Sequence, residues 1–197
     1  MKPTKIIFIR HGEVDNKNNV LYGRLPGFSL SKRGIGQIEN TARKLKKYTP
    51  RHLYTSPLLR ARQSSAIIGR TLELKPVISR RLIEVDIIFQ GMPLSQYREK
   101  TQPGLYSEKN IKRGQESIER IFNRMLNFVE TVKKRHPQKV ILAVSHGDPI
   151  LILKALSQNK PFTWEYKRNK YLKTGGYNFL TIYNNKFTWH EAADEQK

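Results

Sequence analysis

Two segments of the chain place a histidine and a glycine directly after a short apolar run. In the first, Arg10 and His11 follow the apolar residues 6–9. In the second, His146 ends the stretch that begins with the apolar residues 140–144. A short, continuous run of this kind is typical of a strand covered on both faces. A neutral imidazole at such a strand end is a competent nucleophile if a group such as a backbone carbonyl holds its other nitrogen as a donor.

Cationic side chains accompany these histidines, and their types favour phosphoryl transfer. A phosphoryl group in its transition state needs an in-line nucleophile and dense positive charge around its oxygens. Arg10 and Arg60 carry planar, permanently charged groups that suit phosphate oxygens. We expect His146 to supply a further donor and charge, and the backbone N–H of Gly147, beside a helix start, to add a favourable dipole. Gly12 and Gly147 would let the backbone approach a ligand closely.

The elements that must position these residues alternate between strands and helices. Besides the strand before His146, apolar runs predict strands at 6–9, 52–55, 75–79, 177–183 and 186–190. Caps and helical periodicity predict helices after Ser31, after Ser56 with Pro57 at the first helical position, over 116–135, and from Asp148-Pro149. The alternation indicates an α/β fold, a three-layer α/β/α sandwich with a mostly parallel central sheet. Ligands of such sheets bind beyond the carboxyl ends of the strands.

The segment 86–114 is less regular than the rest, and glycines and prolines interrupt it. We interpret it as a short cap insertion over the sheet, partly helical near residues 94–100. No repeat, low-complexity tract or long linker divides the chain. We therefore expect residues 1–197 to form a single domain.

The composition combines a strong positive charge with an absence of cysteine. The 197 residues include 37 Lys and Arg against 16 Asp and Glu, a formal net charge of +21. This excess favours an anionic substrate or a nonspecific polyanion contact, such as RNA, although dispersed basic clusters are also typical of solvated faces. Without cysteine there are no disulfides or thiolate metal sites, which suits a cytoplasmic protein. The first apolar run is too short for a signal peptide or a membrane span.

Five pieces of the sequence, in order, resemble the histidine phosphatase superfamily, the phosphoglycerate mutase-like proteins. They are RHGE (10–13), YGRLPGFSLSKRG (22–34), YTSPLLRARQS (54–64), LIEVD (82–86) and VSHGDP (144–149). The resemblance implies a phosphohistidine intermediate on His11 and no metal or other cofactor. It implies catalysis by His11, Glu84 and His146, and phosphate binding by Arg10, Arg60, Gly147 and Asn16.

An acid is needed because the leaving group must be protonated, and the same group can later activate water. Glu84 matches the acidic position of the family, and Asp86 is the alternative. We expect Asp148 to cap its helix instead.

One contact departs from the family pattern. Many members have an asparagine six residues after the nucleophile, where this chain has Lys17. Either Asn16 or Asn18 takes its place, or Lys17 meets phosphate directly. Arg24 is a candidate substrate contact, with a loop salt bridge as the alternative.

The superfamily contains phosphatases and mutases that share one pocket. Here His146 lies only 62 positions after Glu84, which leaves little cap to shield a bisphosphate intermediate from water. We therefore predict hydrolysis of a small phosphomonoester, with a cofactor-dependent phosphoglycerate mutase-type transfer as the alternative. An alternative of another class is a polyanion- or RNA-binding module that reuses the phosphate pocket. A carboxylate at Glu84 argues against that module, because an anion binder should avoid one there.

Overall fold

The computed structural model describes residues 2–191, except for the side chains of residues 99 and 100. The strands are β1 (Thr4–Arg10), β2 (His52–Thr55), β3 (Pro76–Ile78), β4 (Val140–Ser145), β5 (Tyr177–Tyr183) and β6 (Lys186–Glu191). The helices are α1 (Lys32–Leu45), α2 (Leu59–Leu72), α3 (Leu94–Gln96), α4 (Glu108–Lys112), α5 (Ile118–Arg135), α6 (Gly147–Leu156) and α7 (Trp164–Lys170).

The strands form one mixed sheet in the order β3-β2-β4-β1-β5-β6. The first four neighbours run parallel, while β5 and β6 are antiparallel additions at one side, so the predicted mostly parallel sheet is confirmed. The β5–β6 hairpin turns at Asn184 and Asn185, both with positive φ, as a tight hairpin turn requires. Parallel pairing of β1 with β4 sets Arg10 opposite Ser145. The two histidines that follow these strands therefore lie side by side.

The apolar run of β1 is continuous because both faces of the sheet are covered. Successive side chains of a strand point to opposite faces. Ile6 and Phe8 belong to a core that includes residues of α5 and α6. Ile7 and Ile9 belong to a second core with residues of α1 and α2. Two cores on the two faces of one sheet make the three layers that the alternation of elements predicts.

Two helix starts differ from the sequence-based expectation. Helix α2 begins at Leu59 rather than directly after Ser56, and the Ser56 side chain does not serve as its N-cap. Helix α6 begins at Gly147, and no side chain caps it. Asp148 therefore lies inside the first turn of α6. The Ser56 side chain contacts His146 instead, and the Asp148 side chain accepts hydrogen bonds from Tyr106 and Lys167. Ser31 does cap α1, since its hydroxyl accepts a hydrogen bond from the backbone N–H of Gly34.

The segment 86–114 folds over the carboxyl ends of the strands. It contains α3, one turn of π-helix at Tyr97–Thr101, and α4. Backbone hydrogen bonds join it to the loop after β1, between Leu21 and Met92 and between Asn19 and Leu94. The loop after β1 and the segment 86–114 are thus held together.

Candidate active site

Five side chains converge where β1 and β4 end. The ring centroids of His11 and His146 are 5.1 Å apart. The Nε atom of Arg60, in the first turn of α2, lies 3.2 Å from Nε2 of His11. Glu84 follows a short 3₁₀ turn, and its Oε2 lies 3.7 Å from Nδ1 of His146 and 4.0 Å from the Arg60 guanidinium. Arg10 precedes His11 directly.

His11 is held in the protonation state that nucleophilic attack requires. Its Nδ1 lies 2.7 Å from the backbone carbonyl of Gly12. Because a carbonyl can only accept a hydrogen bond, Nδ1 carries the proton and Nε2 carries the lone pair. Burial, followed by the charges of Arg60 and Arg10, lowers the pKa of His11 well below its ordinary value. The imidazole, which is 1% exposed, is therefore neutral.

The two arginines are fixed by backbone carbonyls and aromatic rings. Arg60 donates to the carbonyl of Gly23 at 2.7 Å. Arg10 donates from NH1 to the carbonyl of Leu172 at 2.7 Å and lies 4.7 Å from the ring centroid of Tyr171. The buried Nε of Arg10 has no hydrogen-bond partner among the described residues. Such a donor is available to a phosphate oxygen.

Glu84 has the environment of a proton donor. Burial, followed by the negative charge of Asp148, raises the pKa of its carboxyl group, against the opposing charge of Arg60. A raised pKa makes the protonated form of Glu84, which can donate a proton, more accessible than that of an ordinary carboxyl group. The alternative acid, Asp86, pairs instead with Arg24 at 3.1 Å, and its side chain is 55% exposed.

His146 differs from the expectation that it supplies positive charge. Burial, followed by the charge of Arg60, lowers its pKa well below the ordinary value, so the ring is neutral. Its Nε2 lies 2.7 Å from the Ser56 hydroxyl, and its buried Nδ1 has no hydrogen-bond partner among residues 2–191. A neutral imidazole still offers one N–H donor to a ligand, but not a full charge.

A cavity of about 200 Å³ opens beside these residues. Its lining combines the strand ends, the loop after β1 and the cap segment; it includes Arg10, Tyr22, Glu84, Tyr97, Arg98, Asp148, Lys167 and Tyr171. Arg10 and Glu84 thus border a cavity of a size that suits a small ester, whereas His11, behind them, is almost fully buried.

Three of the predicted contacts are directed elsewhere. The Asn16 side chain bonds to both the N–H and the carbonyl of Val20, where it closes a turn. The Lys17 side chain is 85% exposed, with its ammonium 4.0 Å from a carboxylate oxygen of Asp15. Neither residue lines the cavity as described.

Arg24 fits the salt-bridge alternative rather than a substrate contact. Its guanidinium contacts Glu116 at 3.0 Å and Asp86 at 3.1 Å, and its Nε donates to the carbonyl of Glu84 at 2.8 Å. Arg24 thereby supports the backbone of the proposed acid from outside the cavity.

The two strand-end glycines make room for neighbouring protein atoms. A Cβ at Gly12 would lie 2.4 Å from the carbonyl oxygen of Gly34, in α1. A Cβ at Gly147 would lie 2.4 Å from the hydroxyl of Tyr171, in the segment after α7. The approach of these two backbone positions to a ligand stays a prediction.

Sequence reasoning missed several residues of the site. Tyr22 packs its ring 4.7 Å from the Arg60 guanidinium, and Ser56 contacts His146. Lys167 and Tyr171 belong to a basic segment with interspersed aromatic residues, a pattern that is typical of a solvated or polyanion-binding face. In the structure Lys167 is only 7% exposed and lines the cavity. The aromatic residues within that basic cluster were the one available signal.

Known proteins share this fold and these motifs. The model of the histidine phosphatase superfamily, branch 1, matches residues 6–195, and the chain belongs to this superfamily. Phosphoserine phosphatase 1 of Hydrogenobacter thermophilus is 30% identical over 74% of this chain and 72% of its own length. An uncharacterised phosphatase of Bacillus subtilis, PhoE, is 31% identical over 75% of this chain and 74% of its own length.

A solved structure supports the fold independently. A mycobacterial glucosyl-3-phosphoglycerate phosphatase superposes with a TM-score of 0.78 at 21% identity, over 95% of this chain and 97% of that one. Within residues 2–191, no group of three or more His, Cys, Asp or Glu side chains is arranged to hold a metal ion. The described helices include none with the length and apolarity to cross a membrane.

Proposed function

We propose that this protein is a metal-independent phosphomonoester hydrolase that acts through a phosphohistidine on His11. The observation that carries the proposal is the state of His11. Its Nδ1–H is fixed on the Gly12 carbonyl, and its Nε2 lone pair accepts a hydrogen bond from Nε of Arg60. A nucleophile and the charge that would bind the attacked phosphoryl group are thus in contact.

The reaction follows in two steps from these positions. In the first, the Nε2 lone pair of His11 attacks phosphorus, and Arg10 and Arg60 bind the phosphoryl oxygens. The bond to the ester oxygen breaks, and protonated Glu84 gives its proton to that oxygen, which leaves as an alcohol. In the second, the Glu84 carboxylate takes a proton from water, whose oxygen attacks phosphorus while the bond between phosphorus and Nε2 of His11 breaks and returns its electron pair to the ring. Inorganic phosphate departs, and His11 and Glu84 return to their starting states.

The role proposed for His146 is to donate a hydrogen bond to a phosphoryl oxygen. The Gly147 backbone N–H, in the first turn of α6, would act alongside it. The neutral state of His146 limits repulsion with the two arginines, while its N–H remains directed by the Ser56 contact.

A small substrate is supported by the size of the cavity and by the relatives. The volume of about 200 Å³ suits a small ester. A relative at 30% identity is named a phosphoserine phosphatase, which makes a phosphorylated hydroxy acid a first choice for the assay. The mutase alternative requires retention of a bisphosphate, and the short span between Glu84 and His146 favours hydrolysis.

The test is hydrolysis of a panel of phosphomonoesters in EDTA by the wild type and by His11→Ala. His190→Ala, on the edge strand β6, is a matched control for the loss of one imidazole. We expect turnover in the wild type and the control, and none in His11→Ala. Equal turnover by all three proteins would reject the nucleophile. Activity that vanishes in EDTA would reject metal independence, and phosphate exchange that needs a bisphosphate primer would establish a mutase.

A further inference from the structure

Asp148 has a carboxylate oxygen that nothing in the mechanism above uses. The residue lies in the first turn of α6, borders the cavity and is 4% exposed. Its Oδ2 accepts hydrogen bonds from the Tyr106 hydroxyl at 2.9 Å and from the Lys167 ammonium at 2.7 Å. Its Oδ1 is buried and has no partner among the described residues. An unpaired buried carboxylate oxygen is costly, which indicates that it serves a ligand.

The two partners of Oδ2 are themselves fixed. The Lys167 ammonium is 5.3 Å from the ring centroid of Tyr171, and the Tyr106 ring packs edge-on against Phe162 at 5.8 Å. Since both donors are held in place, the carboxylate cannot easily rotate to satisfy its other oxygen. Oδ1 therefore stays unpaired, in a residue that borders the cavity.

The position of Asp148 relates it to the departing alcohol rather than to phosphate. Glu84, the proposed donor to the ester oxygen, borders the same cavity. A leaving group bound through its oxygen to Glu84 would occupy the cavity that Asp148 also lines. Arg98, from the cap segment, adds a cation to the same lining.

We propose that Oδ1 of Asp148 accepts a hydrogen bond from an ammonium or hydroxyl group on the carbon next to the ester carbon of the substrate. This inference rests on the proposed hydrolysis at His11. It makes Asp148 a specificity-determining residue and defines the substrate class as phosphate esters of small hydroxy acids that carry such a donor. The carboxylate of these acids is complementary to Arg98.

Three esters that differ in one substituent test the proposal: O-phosphoserine, 3-phosphoglycerate and 3-(phosphonooxy)propanoate. They carry an ammonium, a hydroxyl and a hydrogen at the relevant carbon, and all keep the carboxylate. A buried acceptor discriminates against a ligand that lacks the donor, so we expect kcat/KM of the wild type to favour the first two by about 10- to 100-fold.

The decisive variant is Asp148→Asn, which keeps the shape of the side chain. Lys167 and Tyr106 can only donate to the amide oxygen, which leaves the amide NH₂ facing the cavity. A donor would then meet a donor, and we expect the preference to fall to about one. Any effect of the lost Asp148 charge on Glu84 is common to the three esters and is read from the activity toward 3-(phosphonooxy)propanoate. Tyr106→Phe is the control for a structural role, because it removes a partner of Oδ2 only and should leave the order of the three esters unchanged.

Each result is decisive for Asp148. A wild type without preference, or an Asp148→Asn variant in which all three esters lose activity equally, would overturn the proposal while the hydrolase function stands. If no ester is hydrolysed, the proposed function fails, and calorimetric binding of the same three esters to wild type and Asp148→Asn decides the inference. Tighter binding of the donor esters to the wild type alone would support it, and equal binding would overturn it.

Discussion

The ends of β1 and β4 have the same sequence design and different chemistry. Each strand delivers a buried histidine and then a glycine to the same edge of the sheet. In His11, Nδ1 is bound by a backbone carbonyl and Nε2 faces an arginine. In His146 the two ring nitrogens have other partners. Nε2 contacts the Ser56 hydroxyl, and Nδ1 lies near Glu84 without a hydrogen-bond partner among the described residues.

The difference shows that the partner of one ring nitrogen decides the role of the other. Burial lowers the pKa of both rings, so charge does not distinguish them. A carbonyl forces the proton onto Nδ1 of His11 and leaves a lone pair for attack. A hydroxyl, which can donate or accept, lets His146 present an N–H instead.

The largest expected effect comes from replacing His11, and the same replacement at His146 should have a smaller one. His11→Ala should lower kcat by about 10⁴-fold or more and abolish the phosphoenzyme, because it removes the proposed nucleophile. His146→Ala should lower kcat by about 10²-fold, the usual loss for one donor to a transition state, and should still form the phosphoenzyme. Acid-labile phosphate in quenched protein is the measurement. Acid-labile phosphate on the His11→Ala variant would contradict the different roles proposed for the two histidines.

Glu84→Gln tests the proposed general acid, whose carboxyl group lies near His146. We expect a loss of about 10²- to 10³-fold for alkyl phosphates, and a much smaller loss for p-nitrophenyl phosphate, whose leaving group needs no proton. In the wild type, activity should fall with acid below the lowered pKa of His11, and fall with base above the raised pKa of Glu84. The basic limb should disappear in Glu84→Gln. Equal losses for both ester types would remove Glu84 from this role.

Alanine substitution of the two glycines should have unequal effects. At Gly12 the added Cβ meets backbone of α1, so we expect a loss of about 1–3 kcal/mol in the free energy of unfolding. At Gly147 it meets the Tyr171 side chain, which lies over Arg10, so we expect a smaller loss of stability and a raised KM. Urea unfolding measures the change in the free energy of unfolding of each variant, and steady-state kinetics measures KM. The reverse order of stability would refute the distinction.

Ser56→Ala should produce the smallest effect. Without the hydroxyl, the His146 ring loses the contact that orients it, and we expect kcat to fall by about 10-fold with KM little changed. Ser65→Ala is the matched control, since the Ser65 hydroxyl bonds within α2 to the carbonyl of Arg62. Equal kinetics for the two variants would show that His146 needs no such partner.

Much of the framework could be predicted from local patterns. The apolar runs identified the strands, and Ser31 was correctly identified as a helix cap. The sequence-based start of α2 was wrong because Ser56 bonds His146 across the sheet, a contact 90 positions away that no local pattern contains. The prediction that Asp148 caps α6 was wrong for the same reason, since its carboxylate accepts hydrogen bonds from Tyr106 and Lys167.

The sequence by itself determined the family, the α/β fold and the presence of a histidine at each of two strand ends, because these follow from short-range periodicity and ordered motifs. Only the tertiary structure decided which partner each histidine nitrogen meets, that Arg24 is bound to Glu116 and Asp86, and that Lys167 turns inward. Those outcomes depend on burial and on partners distant in sequence. Hydrogen bonds and desolvation act through space, and the chain must fold before they exist.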